Sequence, residues 1–127
     1  MEPNKIKDFI RKVSLFEELN NKELELVLNQ FEVRKIKRGE FLFKKNNERE
    51  ALYIIYSGEV ELFIKTAFDE EKRITLFTHN EFLGEGALFD TSPHSTYARA
   101  VTETTLLVGK RENFLKLFIE NGSTEKV

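Results

Sequence analysis

The sequence predicts a mostly β fold with flanking helices, built as a sandwich or closed barrel of about eight short strands. Three observations predict it. The hydrophobic period is near 3.6 residues up to Phe31 and near 2 from there to Val108. Turn-forming residues break the period-2 region every 8–12 residues or so, the spacing of sandwiches and barrels. Twelve phenylalanines stand beside three tyrosines and no tryptophan. Phenylalanine has no polar handle, so these rings are expected to fill a core.

Two helices are expected first. Ile6, Phe9, Ile10 and Val13 recur at i, i+3, i+4 and i+7, one face of a helix. Pro3 precedes them, near a helix start where proline is tolerated. Asn20 and Asn21 can cap a second helix, whose apolar face is Leu24, Val27, Leu28 and Phe31. Leu15, Phe16 and Leu19 pack the connection between the two.

The strands follow. Phe31 and Val33 alternate with Glu32 and Arg34, and Gly39–Glu40 turns the chain into Phe41–Phe43. Lys44 to Glu50 is a polar loop whose Asn46 and Asn47 tolerate positive φ. Ala51–Tyr56 is an apolar strand, Ser57–Gly58 a tight turn, and Val60, Leu62 and Ile64 alternate with Glu59, Glu61 and Phe63. Phe68 to Lys72 is expected as an acidic turn, after which Ile74, Leu76 and Thr78 alternate with Arg73, Thr75 and Phe77. Ala98 and Ala100 alternate with Arg99 and Val101, and Leu106–Val108 is the last short strand. A closing helix carries Phe114, Leu117 and Phe118 on one face and stops at Asn121–Gly122. The chain of 127 residues is one domain: helices over 1–30, the β region over 31–109, and a helix over 110–122.

Composition excludes several classes of function. Twenty basic and 22 acidic residues give a formal charge of −2. A nucleic-acid-binding domain usually carries a basic excess to neutralise phosphates, so direct nucleic-acid binding is not expected. No cysteine is present and only two histidines, which leaves no thiolate nucleophile and too few ligands for a three-histidine metal site. His79 lies in an expected turn, and Glu70–Glu71 in a charged one. No enzymatic activity and no cofactor is expected. No apolar run approaches the length of a membrane span, and no signal peptide opens the sequence, so a soluble, cytoplasmic chain is expected. The basic stretch Lys35, Lys37, Arg38, Lys44 and Lys45 is a solvated sheet edge.

One stretch breaks the strand pattern. Gly84 and Gly86 flank Glu85, and Ala87–Leu88–Phe89 follow. Two glycines let the backbone turn sharply and approach a guest closely. A short helical turn there would offer unpaired amides to an anion. The plainer alternative is a glycine-rich barrel corner with a solvated Glu85.

At this point the sequence resembles the cyclic nucleotide-binding domain family of catabolite activator proteins, protein kinase A regulatory subunits and cyclic-nucleotide-gated channels. Leu15–Phe16 with Leu19 is similar to the family's opening motif. Gly39–Phe43, Ala51–Ile55 and Ser57–Val60 resemble its central strands. Phe82–Glu85 with Ala87–Phe89 and Pro93 resembles its phosphate-binding cassette.

The resemblance implies a β jelly-roll barrel, or double-stranded β-helix. It also implies a regulatory domain that binds a cyclic nucleotide, cAMP or cGMP, or a related small phosphate anion. Glu85 would accept a hydrogen bond from the ribose hydroxyl, and the amides at Gly84, Gly86 and Ala87 would hold the phosphate. The family then places an arginine, whose guanidinium forks onto the phosphate oxygens. This sequence has His94 there, followed by Ser95 and Thr96. An imidazole offers one donor and is mostly neutral at pH 7. Arg99 is a weak substitute, five residues along a strand and of opposite parity. Gly86 departs from the aliphatic residue usual beside the glutamate. A family lid helix would cover the base, but the six residues after Asn121 show no amphipathic pattern. The chain is therefore expected to be either a fragment of a longer protein or a stand-alone module whose lid is absent or comes from a partner. The macromolecular partners implied are a second copy of the chain, as a homodimer, or an effector protein. The alternative is a degenerate module serving protein–protein interaction or dimerisation without nucleotide.

Overall fold

A computed structural model describes residues 16–84, 87 and 92–114. The expected first helix, Glu85, Gly86 and the end of the closing helix lie outside the described residues. Helix α1 spans Asn21–Leu28. Eight strands follow: β1 Phe31–Ile36, β2 Phe41–Phe43, β3 Ala51–Ser57, β4 Val60–Lys65, β5 Glu71–Phe77, β6 Phe82–Leu83, β7 Tyr97–Ala100 and β8 Thr104–Lys110. Residues 111–114 are helical.

Helix α1 starts where it does because Asn20 caps it. The Asn20 side chain accepts from the Glu23 amide at 2.8 Å, and Glu23 reaches back to the Asn20 amide at 3.2 Å. Each of these orphan donors gains a partner, as in a capping box.

The strands form two four-stranded antiparallel sheets, ordered β1-β8-β3-β6 and β2-β7-β4-β5. This is a jelly roll. Pleating sends alternate side chains to opposite faces, so β3 and β8 serve two clusters. Ala51, Tyr53, Ile55, Leu106 and Val108 face the second sheet and meet Phe43, Val60, Ala98 and Ala100 inside the barrel. Leu52, Ile54 and Leu107 face outward and meet Phe16, Leu24, Val27 and Phe114. Phe31 joins this outer layer edge-on to Phe16 and Phe114. Gly109 lies beneath those rings, and a Cβ there would overlap Phe114 and Phe31.

The structure corrects three strand expectations. The acidic turn sits earlier than predicted: Thr66 and Glu70 close it by a backbone bond of 2.8 Å, with Asp69 at φ +63, and Glu71 and Lys72 already belong to β5. The apolar alternation of β5 is inverted near its end. Leu62 pairs with Thr75 but Phe63 pairs with Arg73, so Ile74 is an extra, bulged residue. Ile74 is 54% exposed, and Phe77 rather than Leu76 packs on the barrel cluster. The last strand is longer than Leu106–Val108, because β1 and β3 both pair along it.

Candidate functional site: the corner after β6

The corner is set by β6, whose two residues pair with β3 through Tyr53↔Leu83 and Ile54↔Phe82. Gly84 follows at φ +81. A Cβ there would meet the Ala51 carbonyl at 2.7 Å and the Tyr53 ring at 3.2 Å. Both the positive φ and the close approach require glycine. The Ala87 amide donates to the Gly84 carbonyl at 2.9 Å, and Ala87 is fully buried. The Ala87 amide, expected among the donors to a guest, is spent on the Gly84 carbonyl.

The chain returns at Ser92, whose carbonyl accepts from Arg49 Nε at 2.9 Å. His94 is then fixed by the β2–β3 loop. Its carbonyl accepts from the Asn46 amide at 2.8 Å, and its amide donates to the Asn47 carbonyl at 2.9 Å. Asn46 holds φ +74 to present that amide, a conformation asparagine tolerates.

The His94 ring departs from expectation. Only 4% of the residue is exposed, and the ring stacks on Phe43 at 3.6 Å with an interplanar angle of 6°. Phe43 in turn lies 6.1 Å from the Tyr53 ring. Burial, with the Arg49 charge adding to it, pushes the His94 pKa down to about 4. The ring is therefore a neutral, stacked side chain at pH 7, unlike a cation reaching for phosphate. Ser95 is exposed, and Thr96 is half-buried with the inward parity of Ala98.

Arg99 does not supply the missing charge. It stands on the outer face of the second sheet, opposite Glu61. Two nitrogens donate to Glu71 at 3.0 and 2.7 Å, and Glu61 lies at 3.5 Å. This pairing holds the Glu71 carboxyl below its usual range. The guanidinium also covers the Phe63 ring at 4.3 Å, and Phe63 stacks on Tyr97 at 5.1 Å. Phe63, expected merely to point outward, is thereby fully buried on the outer face. Tyr97 belongs to this outer stack.

A profile of the cyclic nucleotide-binding domain matches residues 33–121. The chain belongs to the cyclic nucleotide-binding domain family. It is 35% identical over 103 residues to the cyclic AMP receptor protein of Thermus thermophilus, covering 81% of this chain and 48% of that protein. It is 25% identical over 112 residues to the type II regulatory subunit of Drosophila melanogaster cAMP-dependent protein kinase, covering 88% of this chain and 28% of that one. The crystal structure of Thermus thermophilus catabolite activator protein superposes with a TM-score of 0.76 at 33% identity, over 85% of this chain and 51% of that one. The chain spans about half or less of the length of these relatives.

Of the predicted site residues, Glu85 and Gly86 lie outside the described residues; Gly84 packs on Tyr53 and His94 stacks on Phe43, whose ring lies 6.1 Å from that of Tyr53. Sequence reasoning missed the residues that hold them. Phe43, Asn47, Arg49 and Tyr53 each act across more than 30 positions of sequence. No local pattern marks such pairings. Among the described residues, no His/Cys/Asp/Glu group could hold a metal ion, and no helix is long and apolar enough to cross a membrane.

Proposed function

We propose that this cyclic nucleotide-binding domain takes up cAMP, cGMP or a related small phosphate anion at the corner formed by residues 84–96. In this reading it is a cytoplasmic regulatory module that acts by binding rather than by catalysis, signalling to a partner or to a further effector segment. The observation that carries it is the family match over residues 33–121, together with Gly84 packed against β3 at positive φ. The named relatives, a cyclic AMP receptor protein and a cAMP-dependent kinase regulatory subunit, support the ligand class. Glu85 accepts the ribose hydroxyl, a task suited to a carboxylate, and Ser95 donates its exposed hydroxyl to the phosphate. His94 contributes weakly unless its ring leaves Phe43.

One observation favours a second reading. The His94 stack on Phe43 removes the side chain at the family's cation position from the corner. A module that keeps the barrel for protein contacts, without nucleotide, would look the same there.

Calorimetric titration with cAMP and with cGMP separates the two, using the parent and His94→Arg. Restoring one charged hydrogen bond is worth roughly 1.5–3 kcal/mol, so the variant should bind about 10- to 150-fold tighter. If neither protein gives heat or a melting shift with either nucleotide, the binding proposal fails and the scaffold reading stands.

A further inference from the structure

A cavity of about 460 Å³ opens at the end of the first sheet, and among the described residues neither Gly84, Ala87 nor any of 92–96 lines it. Its size suits a small-molecule site, typically about 300–1,000 Å³. Ala51, Tyr53 and Val108 line it, and four cations surround them: Arg34, Arg49, Lys110 and Arg111. These come from three places in the chain. Arg34 is on β1 with the inward parity of Ile36, Lys110 ends β8, Arg111 opens the closing helix, and Arg49 belongs to the β2–β3 loop. Three carboxylates, Glu48, Glu50 and Glu112, also line it. Even so, among the described residues no ion pair within 4 Å joins any of these cations to any of these carboxylates.

The cations are only partly engaged by the protein. Arg34 bonds the exposed Glu32 at 3.1 Å and reaches the Tyr53 phenol. Arg49 Nε donates to the Ser92 carbonyl. Arg111 Nε is buried and, among the described residues, has no hydrogen-bond partner. A buried charged donor left unpaired is costly. The three carboxylates nearby do not supply its acceptor, although the chain had the means.

We propose that this cleft is a binding site for a small organic oxyanion, a carboxylate or phosphate group that Arg111, Arg34 and Lys110 grip over the Tyr53 hydroxyl. Guanidinium groups match both oxyanions through paired N–H donors. Glu50 and its neighbours on the rim keep the cleft from being a general polyanion trap, since a like charge beside the guest weakens its binding. The cleft shares Arg49, Ala51 and Tyr53 with the supports of the 84–96 corner, whereas Arg34, Lys110 and Arg111 belong to the cleft, so the Arg111 and Arg34 variants tell binding here from binding at the corner.

Calorimetry or chemical-shift titration of the whole chain with inorganic phosphate, and separately with succinate, tests it. Saturable binding of at least one is expected, and comparison of the two identifies the oxyanion. Arg111→Gln should lose roughly tenfold in affinity or more, as for a charged hydrogen bond. Arg34→Gln should weaken binding in the same direction, and Glu50→Gln should tighten it. Melting curves of the variants show that each is folded. Absence of saturable binding by both anions overturns the site. So does a folded Arg111→Gln that binds as tightly as the parent, or a Glu50→Gln that binds more weakly.

Discussion

Protonating His94 would put a charge between the Phe43 ring and the Arg49 guanidinium, and the fold resists it. The folded pKa of about 4 lies below the ordinary value of 6.5. The unfolded chain therefore binds the proton more readily than the folded one. The stability held by the neutral ring is fully present above pH 6.5 and is lost as pH falls from there towards 4. His94→Phe keeps an aromatic stack and removes the titration. Its melting temperature should fall less than the parent's between those two pH values. Parallel curves for the two proteins would show that the ring is not held neutral by its surroundings. Glu71 also titrates with its folded pKa lowered, but it does so in both proteins and cancels in the comparison.

At the scale of single elements, α1 illustrates how a short helix is kept in register with the barrel. It has only eight residues, too few to be stable alone in water. Its buried Leu24 and Val27 hold it to the outer face of the first sheet, and the Asn20–Glu23 capping box fixes where it begins. Asn20→Ala should cost about 1 kcal/mol in denaturant unfolding. A cost near zero would mean that packing alone sets the helix start. The β4–β5 hairpin shows the opposite case. There one bulged residue, Ile74, reassigns which apolar side chains face the barrel, and no cap or turn signal announces it.

For the whole molecule, β3 and β8 couple the two clusters. Adjacent residues of β3 belong to different layers: Ile54 to the helix-facing cluster and Ile55 to the barrel interior. Each is fully buried. Either truncation to alanine should cost about 2–5 kcal/mol. Because the strand is shared, each should lower the far-ultraviolet and aromatic circular dichroism transitions together. Separate transitions in Ile54→Ala would mean that the helical layer unfolds independently of the barrel.

Much of this architecture was legible before any coordinates. Element order, the Asn20 cap, the strand-breaking Gly84 and the odd histidine at position 94 are all local signals. They depend on period, on φ preference and on side-chain chemistry within a few residues. What only the tertiary structure decided lies between residues distant in sequence. The Ile74 bulge depends on its partner strand, and the burial of Phe63 on Arg99. The stacking of His94 depends on a ring 51 positions earlier. The cleft around Arg111 gathers three separate segments. The physical reason is the same throughout. A side chain's period and chemistry belong to the sequence, but its dielectric surroundings and its partners exist only once the two sheets close on each other.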